Sequence, residues 1–440
     1  MNVHTTRATS YAKLLFMLLV IGPMRLLSQS DFIQVSGTHF ELKGKPYYFM
    51  GTNFWYGMNL GSEGAGGDRA RLIEELDQLS ALGVNNLRIM AASEGPDDEP
   101  WRMLPSLQPA PGKYNEALWA GLDFLLDEMG KRNMYAVVCL NNMWPWSGGM
   151  AQYHQWFGGG DAIPYPPPAD GGDWARYQIY TTRFYKNREA KQAFENHIQA
   201  VIERTNSING KPYKDDPTIM AWEIANEPRG ILKKRAYRKW LKKTATFIKF
   251  LDQNHLVTTG SEGFTPSKFA GTRFRKDHAS KNIDYTTLHI WVQNWGWYDP
   301  EKGEAALPGA LEKARKYLSR HQEISEKLGK PMVLEEFGIS RDGNDHAASA
   351  PVTIRDTYYK EMFQSIFEAA KAGSCVAGLN FWAWGGQGRP REPHAVWKQG
   401  DDFIGDPPHE YQGWYSVYDQ DVTTQEIIRK YAKMLDQLSE

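Results

Sequence analysis

The sequence predicts an α/β fold, a (β/α)8 or TIM barrel that forms a single domain. Eight short apolar runs recur along the chain, and helical segments lie between several of them. Near-continuous apolar runs are expected for parallel strands covered on both faces, and alternation with helices is typical of βαβ units. Each run also ends in polar or aromatic residues, as expected where the carboxyl ends of barrel strands carry the chemistry.

The predicted strands follow one another at spacings that leave room for crossover helices. Their residues are 47–54, 84–90, 135–142, 218–228, 256–263, 285–291, 331–338 and 376–385. Helical periodicity is clearest in residues 68–83, 114–133 and 234–254. Two short runs around Ser36-Gly37 predict an N-terminal hairpin in residues 32–46, which would plug the bottom of the barrel.

Two long loops interrupt this regular alternation. Residues 143–186 follow the third predicted strand and residues 385–420 follow the eighth, and both are rich in Trp, Gly, Pro and Tyr. Loops that follow barrel strands lie on the face that carries binding sites. We therefore expect these two loops to wall a cleft on that face.

The composition is that of a globular protein with many aromatic residues. The 51 basic and 52 acidic residues give a net charge of −1, which does not favour binding to nucleic acid or to an anionic membrane. The 16 Trp and 22 Tyr exceed what a core of this size needs, so many are expected at the surface or in a cleft. Cys139 and Cys375 are the two cysteines, and the sequence leaves open whether they pair.

The N-terminus has the pattern of an export signal. Arg7 and Lys13 precede the apolar run 14–22, which is too short to span a membrane as a mature helix, and Ser28 and Ser30 offer cleavage sites. The alternative is a buried N-terminal helix. We predict that residues 1–30 are a signal peptide, that residues 31–440 form the mature domain, and that the protein is secreted, either outside the cell or into a periplasm.

Two glutamates stand at the ends of predicted strands on different sides of the barrel. Glu227 ends the fourth strand and Glu336 the seventh. Paired carboxylates across a cleft suit glycoside hydrolysis, where a separation of about 5–5.5 Å gives retention and one of ~6.5–9.5 Å gives inversion. The sequence does not fix this distance. Strand alternation predicts that Glu223 and Glu335 lie on the opposite face, towards the helices, as structural residues.

Sequence motifs for metals and cofactors are missing. The 11 histidines form no HExxH motif, and the chain contains neither CxxC nor DxDxDG. The acidic run 94–100 is expected to be a solvated loop. We therefore predict no metal site and no cofactor.

Four motifs at predicted strand ends resemble family 5 glycoside hydrolases. They are NEP at 226–228, EFG at 336–338, HIW at 289–291 and Arg88 near the end of the second strand. Longer matches resemble the endo-β-1,4-mannanase branch of that family: GTNFWYG at 51–57, NNMW at 141–144, HIWVQNWGW at 289–297 and NFWAWGG at 380–386. The resemblance runs from about residue 32 to the C-terminus and implies a catalytic (β/α)8 domain.

The resemblance implies roles for five polar residues. Glu227 would be the general acid/base and Glu336 the nucleophile of a retaining mechanism. Asn226 would bind the sugar 2-hydroxyl, and Arg88 would orient the nucleophile. His289 would belong to the same hydrogen-bonded shell.

The resemblance also implies roles for tryptophans. Trp382 would form the platform under the sugar at the cleavage point, and a non-proline cis peptide bond is expected after it. Trp55 and Trp291 would line neighbouring subsites, although many family members have Tyr at the position of Trp291. Trp144 and Trp146 would serve the leaving-group side.

Taken together, these observations predict a secreted endo-β-1,4-mannanase. It would hydrolyse internal bonds of mannan, glucomannan or galactomannan with retention, as a monomer. Two alternatives keep the mechanism: an exo-acting β-mannosidase or mannobiohydrolase, in which the long loops block one end of the cleft, and a β-1,4-glucanase. A further alternative is a glycan-binding barrel without catalysis.

Overall fold

The computed structural model describes residue 1 and residues 30–440, so the predicted signal peptide lies, apart from its two end residues, outside the described residues. The first elements are three short antiparallel strands, β1 (Gln34–Ser36), β2 (His39–Leu42) and β3 (Lys45–Tyr47). The predicted hairpin therefore gains a third strand. Lys43 and Gly44 both have positive φ values (53° and 77°), which is the geometry of a tight hairpin turn.

Eight parallel strands form the centre of the molecule, which confirms the predicted (β/α)8 fold. They are β4 (Phe49–Asn53), β5 (Asn86–Met90), β6 (Tyr135–Cys139), β7 (Ile219–Glu223), β8 (Leu256–Thr258), β9 (Thr286–Ile290), β10 (Met332–Phe337) and β11 (Val376–Phe381). Their order in the sheet is β8-β7-β6-β5-β4-β11-β10-β9. Each predicted strand overlaps one of these eight.

The barrel closes between β8 and β9 through a few hydrogen bonds rather than a full ladder. The amide of Asp284 donates to the carbonyl of Val257 (2.8 Å), and the amide of His289 donates to that of Glu262 (3.2 Å). β8 is shorter than the predicted run 256–263 because the chain turns at Gly260, whose φ is +71°.

Helices surround the sheet. They are α1 (Gly57–Leu60), α2 (Arg69–Ala81), α3 (Glu116–Lys131), α4 (Gly149–Phe157), α5 (Trp174–Thr181), α6 (Arg188–Ile202), α7 (Lys234–Leu251), α8 (Phe274–Asp277), α9 (Leu307–Leu328), α10 (Thr353–Lys371) and α11 (Val422–Asp436). In α2, the Asp68 side chain caps the first turn by accepting from the amide of Arg71, and Leu72, Leu76 and Leu79 lie buried on one face. No helix among residues 30–440 is long and apolar enough to cross a membrane.

The N-terminal sheet covers the bottom of the barrel. Phe40 packs edge-on against Tyr285 at the start of β9 (5.3 Å between ring centres) and stacks on Phe49 at the start of β4. These residues, with Tyr47 and Val333, belong to a separate buried apolar cluster. The opposite end of the barrel, where the strands have their carboxyl ends, is therefore left to the loops.

The two long loops are folded segments with structure of their own. The loop after β6 carries α4 and α5, and the loop after β11 carries a two-stranded sheet of β12 (Trp384–Gly386) and β13 (Val417–Tyr418). Asp406, which is buried, accepts from the amides of Gly413 and Tyr415 and from the hydroxyl of Ser416. Cys139 and Cys375 are both buried and free.

Candidate active site

A cavity of about 710 Å³ opens at the carboxyl ends of the barrel strands. Glu227 and Glu336 both line it, together with Asn226. Eight of the residues that line it are Trp or Tyr: Trp144, Trp146, Trp174, Trp291, Trp295, Trp382, Tyr411 and Trp414. The two carboxylates therefore face one apolar-walled space large enough for a few sugar units.

The chain turns sharply to bring Glu227 into this space. β7 ends at Glu223, and Asn226 then pairs with Asn142 in a single parallel bridge. Glu227 has a φ of +49°, in the left-handed region that residues with side chains rarely adopt. Its amide donates to the carbonyl of Gly260 (2.9 Å). Because of this turn, Asn226 and Glu227 both reach the cavity, which regular strand alternation would prevent.

Glu336 and its neighbour Glu335 both face the barrel interior. The register of β10 against β9 shifts between Leu334 and Glu336, so an extra residue is accommodated there. Glu336 pairs with Arg88, and Glu335 lies 3.8 Å from Nε2 of His289. The sequence prediction that Glu335 points towards the helices is therefore wrong, because alternation does not hold across the shift.

Arg88 connects two carboxylates and two side-chain amides from the ends of β4, β7 and β10. Its Nε and Nη2 donate to Glu223 (2.8 and 2.6 Å), and its Nη1 donates to Glu336. The guanidinium also donates to two amide oxygens, from Nη1 to Asn53 Oδ1 (3.0 Å) and from Nη2 to Asn226 Oδ1 (2.8 Å). The prediction that Glu223 points outwards, towards the helices, is also wrong, because Glu223 pairs with Arg88 inside the barrel, as Glu336 does. Burial lowers the pKa of Arg88, but Glu223 and Glu336 raise it well above its usual value.

His289 lies between the two cavity carboxylates. Its Nδ1 is 2.6 Å from Oε1 of Glu227 and 3.2 Å from Oε2 of Glu336. Burial opposes charge on the ring, yet Glu336, Glu227 and Glu335 together raise the pKa of His289 well above its usual value. The second oxygen of Glu227 accepts from Nε1 of Trp144 (2.6 Å).

Glu227, His289 and Glu336 offer three atoms within 4.8 Å of one another, a spacing that a metal ion would also require. We interpret the group as a hydrogen-bonded set because the Nδ1 proton and the guanidinium of Arg88 already face the carboxylate oxygens. The prediction that the protein needs no cofactor stays a prediction.

Trp382 and Trp291 both line the cavity, in an edge-to-face pair with ring centres 5.7 Å apart. The peptide bond between Trp382 and Ala383 is cis. Trp291 also packs against Tyr415 (5.2 Å). Trp144 lines the same cavity, on the side of Glu227.

Trp55 does not lie on the cavity, contrary to the role that the sequence suggested. It is 2% exposed, its Nε1 donates to the carbonyl of Gly405 (3.0 Å), and its ring contacts Trp146 and Phe403. The loop after β11 thus folds over Trp55. Asp406 organises this loop through bonds to Gly413, Tyr415 and Ser416, and the contact of Gly405 with Trp55 spans 350 residues of the chain.

The whole described domain matches one family model, that of "GH family 5 beta-mannosidase-like" proteins, over residues 30–440. The chain belongs to glycoside hydrolase family 5. It is thereby identified as a member of a family of enzymes that cleave glycosidic bonds, as the motifs around Glu227 and Glu336 indicated.

Individual relatives and solved structures match most of the chain. A mannan endo-1,4-beta-mannosidase of Solanum lycopersicum is 33% identical over 381 residues, which cover 82% of this chain and 83% of that protein. The crystal structure of a family 5 mannosidase from Rhizomucor miehei has a TM-score of 0.86 and 42% identity, covering 94% of this chain and 99% of the other. A mutant of that mannosidase has been solved in complex with mannosyl-fructose.

Sequence reasoning gave no role to Arg229 and Glu262, which line the cavity of this family 5 hydrolase. Arg229 donates to both oxygens of Glu262 (2.5 and 2.7 Å) and lies over the indole of Trp144, 4.8 Å from the ring centre. The pair thus supports the indole that binds Glu227. The sequence signal that could have identified this pair is the position of Glu262 near the end of the fifth predicted strand, 256–263.

The loop after β11 adds two more cavity residues that the sequence did not single out. Glu410 and His409 both line the cavity, and burial raises the pKa of Glu410 well above its usual value. His409 contacts Trp174 edge-on, with ring centres 5.9 Å apart. This contact joins the two long loops across the cavity.

Proposed function

We propose that this family 5 enzyme hydrolyses β-1,4-mannosidic bonds with retention, with Glu336 as nucleophile and Glu227 as acid/base. The observation that carries the proposal is the short distance between the carboxylates: oxygens of Glu227 and Glu336 lie within 4.8 Å of each other. Inversion needs room for a water molecule between them, about 6.5–9.5 Å, whereas retention needs about 5–5.5 Å.

In the first step, an oxygen of Glu336 attacks the anomeric carbon as the glycosidic bond breaks. The electron pair of that bond stays on the leaving oxygen, which takes a proton from Glu227. Arg88 binds Glu336 and holds the oxygen in position for attack. A covalent glycosyl ester on Glu336 is formed.

In the second step, a water molecule replaces the leaving group. Glu227 removes a proton from this water, which attacks the anomeric carbon and displaces Glu336. Two displacements at one carbon restore its original configuration. The hydrogen bonds of Glu227 to His289 and Trp144 hold the carboxyl group near that carbon in both steps.

The binding groups around the reacting carbon have fixed orientations. Asn226 is held by Arg88 at Oδ1 and donates its Nδ2 to Asn142 (3.1 Å), so its amide is placed at the edge of the cavity for a sugar 2-hydroxyl. Trp382 lines the cavity, and its buried Nε1 has no partner among the described residues. We propose that Trp382 and Trp291 stack on the sugar rings.

The proposed substrate is a β-mannan, glucomannan or galactomannan or an oligosaccharide of one of them. The named activity of the tomato relative supports mannan as the substrate class and internal cleavage as the mode. The mannosyl-fructose bound by the Rhizomucor miehei mutant also contains a mannosyl unit. A β-1,4-glucanase remains the alternative that substrate comparison tests.

Cleavage from a chain end is a second candidate, favoured by the shape of the cavity. Among the described residues that line it, none comes from the segments after β4 or β5. Trp55 lies beneath Gly405 there, and the contact of Trp174 with His409 joins the two long loops. A cavity closed on one side admits the end of a polysaccharide more readily than its middle.

Products from mannohexaose and cellohexaose test both the substrate and the mode. We expect hydrolysis of mannohexaose and little of cellohexaose, with loss of activity in Glu336→Gln. A mixture of internal products would support endo action, and a single short product from one end would support chain-end action. Failure of purified wild-type protein to cleave mannohexaose would overturn the proposal.

We further propose that residues 1–30 are removed on export and that residues 31–440 act as a monomeric catalytic domain. N-terminal sequencing and the mass in solution of the protein recovered from the secreted fraction would test this. An N-terminus at Met1 in that fraction would contradict removal of the segment.

A further inference from the structure

Glu335 has a fully buried carboxylate directly before the proposed nucleophile. Neither of its oxygens has a hydrogen-bond partner among the described residues, and it does not line the cavity. A buried charged carboxylate without partners is strongly unfavourable. Such a group needs a compensating cation or a proton nearby.

Glu335 faces Nε2 of His289, the ring nitrogen that points away from the cavity carboxylates. Nε2 of His289 also lacks a partner among the described residues, and it lies 3.8 Å from Oε2 of Glu335. This distance is within the range of an ion pair between a protonated ring and a carboxylate. Since Nδ1 of the same ring faces Glu227 and Glu336, the imidazole spans the space between Glu335 and the cavity carboxylates.

The surrounding charges leave His289 as the natural partner of Glu335. Arg88 already binds Glu223 and Glu336, and Tyr285 contributes a buried, unpartnered hydroxyl. Burial and the carboxylate of Glu223 raise the pKa of Glu335 to about 7, although His289 and Arg88 oppose this. Both the carboxyl group and the ring therefore hold protons more strongly than usual.

We propose that Glu335 is a positioning residue that keeps His289 as an imidazolium, with Nδ1–H directed at Glu227 and Glu336. The proposal rests on the proposed roles of those two glutamates. Glu335 accepts the Nε2 proton, so both ring nitrogens act as donors. The cation then offsets the negative charge that moves between Glu336 and Glu227 during the two steps.

Replacement of Glu335 by Gln tests this with little change in shape. We expect the pKa of His289 to fall, kcat to drop by up to about a hundredfold, and KM to change little because Glu335 does not line the cavity. Activity should also be lost at a lower pH on the alkaline side, because His289 loses its charge earlier. Glu335→Asp should restore part of both effects.

The direct readout is 15N NMR of labelled histidines at neutral pH, with the His289 signals identified by their absence in His289→Asn. The wild type should show both ring nitrogens protonated, and Glu335→Gln should lose one proton. Glu94→Gln is the matched control, since Glu94 is another buried carboxylate whose pKa burial raises to about 7, outside the cavity.

A neutral His289 in the wild type at neutral pH would overturn the proposal, even if Glu335→Gln did not fold. Unchanged histidine signals and an unchanged pH profile in Glu335→Gln would also overturn it and leave only a structural role. If the wild type cleaves no mannoside, the proposed function fails, while the NMR result still decides whether Glu335 sets the charge of His289.

Discussion

Nε1 of Trp144 donates to Oε2 of Glu227 over 2.6 Å, which ties the loop after β6 to the proposed acid/base. The guanidinium of Arg229 lies over the same indole and is itself paired with Glu262. The position of Glu227 therefore depends on residues from three strand ends as well as on its own turn.

Trp144→Phe should lower kcat/KM by about ten- to a hundredfold, because a hydrogen bond to a charged group contributes about 1.5–3 kcal/mol. The ring that stacks with Arg229 is kept. Steady-state kinetics on mannohexaose would measure the effect. Trp146→Phe is the control, as Trp146 lines the same cavity without a bond to Glu227; equal losses in the two variants would contradict a special role for the indole N–H.

Arg88→Met should destabilise the fold strongly. Removing the cation leaves Glu223 and Glu336 buried without compensation, and breaking a buried pair in this way costs about 3–5 kcal/mol. Denaturant unfolding would measure the change. Arg315→Met is the control, because Arg315 pairs with Glu361 at the surface and should change stability by less than about 1 kcal/mol. A similarly small change in Arg88→Met would be inconsistent with the proposed network.

Stability should fall in acid partly because of His197. Burial lowers its pKa to about 4, while its nitrogens bond the carbonyl of Ala91 and the hydroxyl of Tyr114. The unfolded histidine binds a proton near pH 6.5, so the stabilisation is complete above about pH 6.5 and is lost as the pH falls towards 4. The loss is about 1.4 kcal/mol per pH unit, roughly 3 kcal/mol in all.

His197→Gln should therefore flatten the dependence of unfolding free energy on pH between about 6.5 and 4, since this proton uptake no longer accompanies unfolding. Urea unfolding at several pH values would show it. His39→Gln, in the N-terminal sheet, serves as control. An unchanged slope in His197→Gln would mean that His197 is not held neutral.

Asp406→Asn should loosen the loop that covers Trp55 and supplies His409. Asn retains one acceptor oxygen where Asp406 now binds two amides and a hydroxyl. If this loop closes the cavity, KM should rise and a larger share of mannohexaose should be cut internally. Asp401→Asn, whose carboxylate binds Arg391 in the same loop away from the cavity, is the control; the same product pattern in all three proteins would argue against closure by the loop.

The barrel could be predicted because its signals are local. Apolar runs and helical periodicity locate the strands and the helices α2, α3 and α7 without knowledge of contacts. Glu227 and Glu336 could be placed at one face because parallel strands all end there. Their separation depends on the turn at Glu227 and on the barrel circumference, and neither is visible in the sequence.

The wrong predictions failed because they depend on tertiary structure, which local sequence patterns do not reveal. Glu335 faces inward because β10 shifts register beside it, and strand alternation cannot reveal such a shift. Trp55 is covered because the loop after β11, which Asp406 organises, folds over it. Gly405, the residue of this loop that binds Trp55, lies 350 residues further along the chain. The role of Arg229, and of Glu262 that pairs with it, follows from the contact of Arg229 with Trp144.

The most direct test of retention is the anomeric form of the first product. Proton NMR during the first minutes of mannohexaose cleavage should show the β anomer at the new reducing end, followed by slow conversion to the equilibrium mixture. Immediate appearance of the α anomer would show inversion and would contradict the assignment of Glu336 as nucleophile and Glu227 as acid/base.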